Sequence, residues 1–179
     1  MNAPLDIPKF STADVANAAG IPVETLRTWV KRGDLALIHG TPDRFSPGVG
    51  RTRQFTLRRA LNVVLTAELV RNNLSVKEAS QAALNFTDIG EGVYDPSEDA
   101  LTDESVPARD PGELFRDGET VLVVRFPKGG GRIEASVERL EDAVTTLFSR
   151  ENKEFYSAFL VDLDAVHDRA NSILNKYHV

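Results

Sequence analysis

The sequence contains no cysteine and only three histidines, His39, His167 and His178. The absence of cysteine excludes a disulfide scaffold, a thiolate zinc site and a thiol nucleophile, and three scattered histidines do not form the pattern of a metal site. No apolar run approaches the roughly 18–20 residues of a membrane-spanning helix, and residues 1–10 lack the apolar stretch of a secretory signal. We therefore expect a cytoplasmic chain that needs no metal or cofactor and does not bind membranes.

Basic and acidic residues are unevenly distributed along the 179 residues, of which 41% are hydrophobic and 27% are charged. Residues 1–86 carry 11 Lys+Arg against 7 Asp+Glu, whereas residues 87–179 carry 10 against 20. Such an asymmetry indicates contact between the basic part of the chain and a nucleic acid. The alternative is that the basic side chains only keep a helix surface soluble.

Residues 10–20 carry the start and stop signals of a short helix. Ser11 is placed to cap the helix amino terminus, with the carboxylate of Asp14 three residues later. Gly20 suits the left-handed residue that ends a helix. The sequence therefore predicts one helix between Ser11 and Gly20.

A second predicted helix covers residues 23–32. Pro22 precedes this helix and Gly33 ends it. Leu26 and Trp29 recur at helical spacing, so we expect them to face the core. Two short helices separated by a turn of three or four residues form a helix-turn-helix.

The segment after the second helix predicts a β-hairpin of the kind called a wing. Residues 35–39 and 51–56 have strand character, and the Gly- and Pro-containing residues 40–50 are typical of a loop. A long helix over residues 57–72 and a shorter one over residues 75–84 follow, each beginning after a hydroxyl residue that suits a helix cap.

The order of these motifs resembles the winged helix-turn-helix of MerR-type DNA-binding proteins over residues 10–86. The resemblance is carried by Phe10-Ser11-Thr12-Ala13-Asp14-Val15-Ala16, Gly20-Ile21-Pro22, Thr25-Leu26-Arg27-Thr28-Trp29, Arg32-Gly33-Asp34-Leu35, Arg53-Gln54-Phe55 and Leu74-Ser75-Val76-Lys77-Glu78-Ala79. The chain departs from the family at Thr28-Trp29, where the family has two tyrosines, and in its longer wing loop. The resemblance implies a regulator that distorts promoter DNA, with RNA polymerase as a further partner.

A helix-turn-helix reads bases with side chains near the start of its second helix, while cations that contact phosphate supply most of the affinity. The expected DNA contacts are Thr25, Arg27, Thr28 and Lys31 on the second helix, Arg51 and Arg53 on the wing, and Arg58 on the long helix. Arg27 is the strongest candidate, because it can bind a phosphate or pair with guanine. For Arg53 the alternative is a structural salt bridge, and for Arg58 a solvated helix start.

Glu24 lies in the first turn of the second helix. The favoured interpretation is that its carboxylate interacts with the helix dipole. The alternative is that it accepts a hydrogen bond from a cytosine amino group.

The sequence offers no catalytic constellation. Gly129-Gly130-Gly131 lacks the following Lys-Ser/Thr of a phosphate-binding loop and is interpreted as a turn. Asp162, Asp164 and Asp168 are interpreted as an exposed acidic helix face rather than a metal site. We therefore expect no enzymatic activity.

The second half begins with an acidic segment. Residues 87–119 carry 11 Asp+Glu, 2 Lys+Arg and three prolines, which predicts a loosely ordered linker. Residues 120–126 and 133–137 predict a β-hairpin, and residues 138–150 predict an amphipathic helix. The side chains of this helix expected to face inward are Leu140, Ala143, Val144 and Leu147.

Apolar residues near the carboxyl terminus recur at alternating spacings of three and four, which is typical of a helical seam. They are Tyr156, Phe159, Leu163, Val166, Ala170, Ile173 and Tyr177. The favoured interpretation is a long terminal helix that forms a dimer contact. Two alternatives stay open: residues 158–161 form a strand that leads into a shorter helix from Asp164, or this face packs on the chain's own hairpin.

These patterns predict a mainly α fold with a small β content. The expected domains are a winged helix-turn-helix DNA-binding domain over residues 1–86, an acidic linker over 87–119, and an α/β unit for dimerisation or effector binding over 120–179. The expected function is that of a dimeric, bacterial, nucleoid-associated regulator of transcription that binds double-stranded DNA sequence-specifically. The alternatives are an excisionase-like or phage-encoded architectural DNA-binding protein, and an adaptor whose acidic unit binds another protein.

Overall fold

A computed structural model describes residues 5–36, 53–90, 109–149, 154–174 and 176. These residues form a mixed α/β protein with six helices and two small antiparallel sheets. The elements are β1 (Phe10–Ser11), α1 (Thr12–Ala19), α2 (Val23–Arg32), β2 (Gln54–Phe55), α3 (Leu57–Arg71), α4 (Val76–Thr87), β3 (Thr120–Pro127), β4 (Glu134–Arg139), α5 (Leu140–Phe148), β5 (Phe155–Asp162) and α6 (Leu163–Leu174). Within these residues, no helix is both long enough and apolar enough to cross a bilayer.

The chain divides into two compact units. Unit 1 comprises Met1–Leu84 and Ala165–Val179, and unit 2 comprises Asn85–Asp164. Sequence patterns had placed residues 165–179 with the preceding hairpin, whereas here they group with the amino-terminal part of the chain. Each unit has its own buried side chains.

Helix α1 begins and ends as its sequence predicts. The Ser11 side chain accepts from the backbone N–H of Asp14, and the Asp14 carboxylate accepts from the N–H of Ser11, 2.8 Å away. Gly20 ends the helix in the left-handed conformation, with φ of 63°. The side chain of Arg71 then donates to the carbonyl of Ala19 over 2.6 Å. Helix α3 therefore supplies a cation to the carbonyl end of α1.

Helix α2 also has the predicted limits. Pro22 stands at its N-cap and Gly33 ends it with φ of 69°. Leu26 and Trp29 are buried, as expected from their spacing. After the helix, the backbone N–H of Ala36 donates to Ser80 Oγ over 2.7 Å. One side of α2 is therefore buried, and the segment that follows its carboxyl end is held by Ser80.

The first sheet was not predicted from the sequence. Phe10 pairs with Phe55 and Ser11 with Gln54, antiparallel, so that β1 and β2 form a two-stranded sheet. The predicted partner of residues 51–56 was the segment 35–39, most of which lies outside the described residues. In the structure, Gln54 and Phe55 pair with residues more than forty positions earlier in the sequence. Local sequence patterns cannot predict a pairing over that distance.

Helix α3 is the central helix of unit 1. Its start is capped by the Thr56 hydroxyl, which accepts from the N–H of Arg59 over 3.1 Å. Ten of its 15 residues are buried, and it packs against α1 and β2. Helix α4 begins with the predicted pair of Ser75 and Glu78, in which each side chain accepts from the other residue's backbone N–H.

Unit 2 contains a three-stranded sheet with the order β4-β3-β5. The predicted hairpin is confirmed: β3 pairs with β4 in antiparallel register, with Val123 opposite Ser136. Helix α5 covers the face of Val121 and Val123, where Ala143 is buried and Leu140 and Leu147 are packed against the cluster. Val144 was expected to face inward but is 44% exposed, because it lies on the side of α5 away from this cluster.

Part of the predicted linker is folded. The backbone N–H of Gly112 donates to the carbonyl of Phe86 over 2.7 Å. Arg109 is buried and donates to the carbonyls of Asn85 and Phe86 at the end of α4, each at 3.0 Å. Phe115 is buried as well. The acidic composition gave no indication that Arg109 and Phe115 would be buried in this segment. Residues 91–108 lie outside the described residues.

The predicted long terminal helix is wrong. Residues Phe155–Asp162 form β5, which pairs antiparallel with β3, and only Leu163–Leu174 form a helix. The alternative in which a strand leads into a shorter helix is therefore confirmed. The 3–4 spacing of apolar residues extends by coincidence from α6 back into β5. The backbone hydrogen bonds of β5 go to β3, whose paired residues lie 28 to 41 positions earlier. Asp162 accordingly lies on a strand, and Asp164 accepts from the N–H of Thr120 over 2.6 Å.

Candidate nucleic-acid interface

The outward side of α2 carries the polar residues on which the sequence prediction depends. Glu24, Arg27, Thr28 and Lys31 are all exposed. Their spacing of i, i+3, i+4 and i+7 places them on one face of the helix, which we call the α2 polar face. Leu26 and Trp29 lie on the opposite side, where Trp29 is only 8% exposed. The same burial that fixes α2 in unit 1 therefore directs these four side chains to solvent.

Glu24 and Arg27 form an ion pair on the α2 polar face. Arg27 Nη1 donates to Glu24 Oε1, and the two side chains remain 63% and 77% exposed, respectively. An exposed pair at this spacing contributes only a few tenths of a kcal/mol to helix stability. Both groups are thus accessible to a partner, and their mutual contact is weak enough to be rearranged.

Thr28 and Thr25 are less open to a partner than Arg27 and Lys31. The Thr28 hydroxyl donates to the backbone carbonyl of Glu24 over 2.8 Å, so its proton is already used within the helix. Thr25 is half-buried in the first turn. Arg27 and Lys31 are therefore the two predicted contacts on α2 that offer an exposed charged group to a partner.

The sequence prediction overlooked Arg32. This exposed residue follows Lys31 in the last turn of α2, so two cations stand at the carboxyl end of the helix. Cations are favoured at this end by the helix dipole. The sequence contained the information needed to include Arg32, because it is a second basic residue directly before the helix-ending Gly33.

The predicted wing residues are only partly described. Arg51 lies outside the described residues. Arg53 is half-buried, and its guanidinium carbon stands 5.9 Å from the ring centroid of Phe55. Arg53 therefore lies beside β2 and stacks on an aromatic side chain.

Arg58 is engaged in unit 1 and does not belong to the α2 polar face. Its Nε and Nη2 atoms donate to the two carboxylate oxygens of Asp6 over 2.8 and 3.1 Å. Its backbone N–H donates to the carbonyl of Leu5. The hydrogen bond and charge of Arg58 hold the pKa of Asp6 below its usual value, against a smaller opposing effect of burial. Arg58 thus connects the amino-terminal segment to α3 instead of standing alone in solvent, while its expected contact with DNA stays a prediction.

The predicted dimer residues occupy several different environments. Leu163, Val166 and Ala170 are buried on α6, whereas Tyr156 is 75% exposed on β5. Phe159 is half-buried, with its ring centroid 5.9 Å from that of Phe126. Ile173 is half-buried on α6 and Tyr177 lies outside the described residues. These residues do not form one continuous helical seam, since two of them belong to a strand.

Comparison with known proteins adds no relationship to this geometry: neither a protein-family model nor a curated protein matches the chain.

Proposed function

We propose that the chain binds double-stranded DNA, with the α2 polar face in the major groove. The observation that carries the proposal is the division of α2 into a buried side, with Leu26 and Trp29, and an exposed side, with Arg27 and Lys31. An α-helix with its side chains is about 10–12 Å wide, which matches the roughly 12 Å width of the major groove. Helix α2 is ten residues long and ends at Gly33, so it is short enough to enter the groove as one straight element.

Charge supports the same partner. Residues 1–86 carry four more basic than acidic residues, although the whole chain has a net charge of −6. Lys31 and Arg32 at the end of α2 are placed to contact phosphates when the start of the helix faces base edges. Such contacts supply most of the affinity of a DNA-binding protein and weaken as salt rises.

The biological role that fits this binding mode is that of a transcriptional regulator acting as a dimer on two half-sites. One α2 polar face offers few contacts, and a second copy related by two-fold symmetry doubles them. RNA polymerase is a further partner under this proposal. Among the predicted dimer residues that the structure describes, Tyr156 is the most open to a second copy, because it is exposed whereas Leu163 and Ala170 are buried.

Replacement of Arg27 by alanine tests the proposal. If Arg27 pairs with guanine, Arg27→Ala weakens binding to a selected duplex by about 1–3 kcal/mol and relaxes base preference at one position. The measurement is the dissociation constant for selected and scrambled duplexes at several salt concentrations. Arg116→Ala, which removes the same charge from an exposed site in unit 2, is the matched control and should leave both constants unchanged.

Two results would contradict the proposal. One is an intact protein that binds no duplex at physiological salt. The other is equal weakening by Arg27→Ala and Arg116→Ala, since that result makes the effect one of net charge and not of α2.

A further inference from the structure

The ion pair between Glu24 and Arg27 changes what Arg27 can do on the α2 polar face. A free arginine attracts any phosphate, and this attraction does not depend on base sequence. Here the guanidinium is already in contact with a carboxylate, so the pair as a whole carries no net charge. A phosphate that approaches Arg27 must also approach Glu24, which repels it.

The pair combines two complementary kinds of hydrogen-bonding group. The Glu24 carboxylate only accepts hydrogen bonds, while the Arg27 guanidinium only donates them and retains further N–H groups beside the one used for Glu24. In the major groove a C·G pair presents a donor on cytosine N4 next to two acceptors on guanine, O6 and N7. The intact Glu24–Arg27 pair therefore matches the edge of one C·G base pair.

An A·T pair presents these groups in a different order. Its major-groove edge carries the acceptor N7, the donor N6–H and the acceptor O4, so the carboxylate can accept from N6 but the guanidinium meets only a single acceptor on either side of it. A C·G pair places the two acceptors N7 and O6 side by side next to the N4 donor, so it provides a second arginine hydrogen bond that A·T cannot.

We infer that Glu24 is a specificity-determining residue of the α2 polar face, which reads one C·G base pair together with Arg27 and prevents Arg27 from binding phosphate non-specifically. The inference rests on the proposed function. It assigns Glu24 a task beyond the helix-dipole role, which the carboxylate would fulfil without any contact to Arg27.

The test is Glu24→Gln, which removes the charge and keeps the shape of a side chain that is already 77% exposed. Binding of wild type and variant to a randomised duplex library gives the base preference, and titration at several salt concentrations gives the salt slope. In the variant we expect the preference for C·G at one position to fall by about 5- to 150-fold. Because Arg27 is released to phosphate, we also expect the salt slope to become steeper by about 0.9.

Glu68→Gln provides the matched control. Glu68 pairs with Arg71 at the same i, i+3 spacing, at 2.8 Å, but on α3, and its carboxylate also accepts from Arg169 over 3.1 Å. Its replacement removes the same charge from unit 1 and should leave base preference unchanged. Thermal melts of both variants establish that each is folded before binding is compared.

The double variant Glu24→Gln with Arg27→Ala separates joint reading from independent effects. If the two side chains read one base pair together, the double variant should lose hardly more C·G preference than either single variant. An unchanged preference in Glu24→Gln, or a purely additive double variant, would overturn the inference while leaving DNA binding itself intact. Absence of DNA binding by the wild type would overturn the proposed function as well.

Discussion

Asp6 shows how one side chain can connect the amino-terminal segment to the start of a helix. Its carboxylate receives two hydrogen bonds from Arg58, which belongs to α3. Because this contact favours the charged form, the pKa of Asp6 is lowered from its reference value of 3.8. A group with a depressed pKa stabilises the fold above its unfolded-state pKa, and the stabilisation is lost as pH falls through the folded-state value.

We predict that Asp6→Asn lowers the free energy of unfolding at pH 7 by about 0.2–1 kcal/mol, the range for a solvent-exposed ion pair. The carboxylate is 53% exposed, so a larger effect is not expected. As the pH falls below the lowered folded-state pKa of Asp6, wild type and variant should approach the same stability. Urea denaturation at pH 7 and at a series of acidic pH values measures the difference. An equal loss at all of these pH values would show that the charge of Asp6 is not the cause.

The limits of sequence interpretation are already visible among single residues. Ser11, Gly20, Gly33 and Thr56 were assigned correctly, because each acts on backbone groups within four residues of itself. The contact of Arg58 with Asp6 crosses 52 positions, and nothing local indicates it. For that reason the sequence did not reveal that Arg58, an expected DNA contact, connects the amino-terminal segment to α3.

Gly20 and Gly33 form a matched pair of helix ends. Both are left-handed, with φ of 63° and 69°. They differ in surroundings: a Cβ added at Gly20 would lie 2.9 Å from Arg71 Nη2, whereas one added at Gly33 meets nothing within 4 Å. Arg71 can move, but it then loses its hydrogen bond to the carbonyl of Ala19.

We predict that Gly33→Ala costs about 1–2 kcal/mol of stability from backbone strain alone. Gly20→Ala should cost about 1 kcal/mol more, because a charge-assisted hydrogen bond is weakened in addition. Denaturant unfolding of the two variants gives both numbers. Equal losses would mean that the contact of Arg71 with the end of α1 contributes nothing to stability.

For helices and strands, a prediction succeeded when the hydrogen-bonding partner of the element lay nearby in the sequence. The hairpin of β3 and β4 was predicted because its strands are adjacent in sequence and joined by a short turn. Strand β5 was assigned to a helix, since residues 156–163 repeat apolar side chains at 3–4 spacing and no glycine or proline interrupts them. Its pairing with β3 lies beyond any local pattern.

For the molecule as a whole, the burial of α6 bears on the predicted dimer. Leu163 is fully buried within a single chain, so it stabilises the fold of one copy. We predict that Leu163→Ala lowers the free energy of unfolding by about 2–5 kcal/mol without changing the association state of the folded protein. Tyr156→Ala, at a 75% exposed site, should change stability by less than about 0.5 kcal/mol.

Denaturant unfolding and sedimentation together check this prediction. If Leu163→Ala converts a dimer into a folded monomer, the prediction fails, because α6 then contributes to an interface between copies. If Tyr156→Ala alone does so, the dimer contact lies at β5.

Trp29 has a practical consequence, because it is the only tryptophan of the chain and lies on the buried side of α2. Its intrinsic fluorescence reports on unit 1 alone, while circular dichroism records both units. A red shift of the emission that precedes the loss of ellipticity would mean that unit 1 melts first. The indole also lies on the opposite side of α2 from its polar face, so quenching by bound duplex would have to be transmitted through the helix.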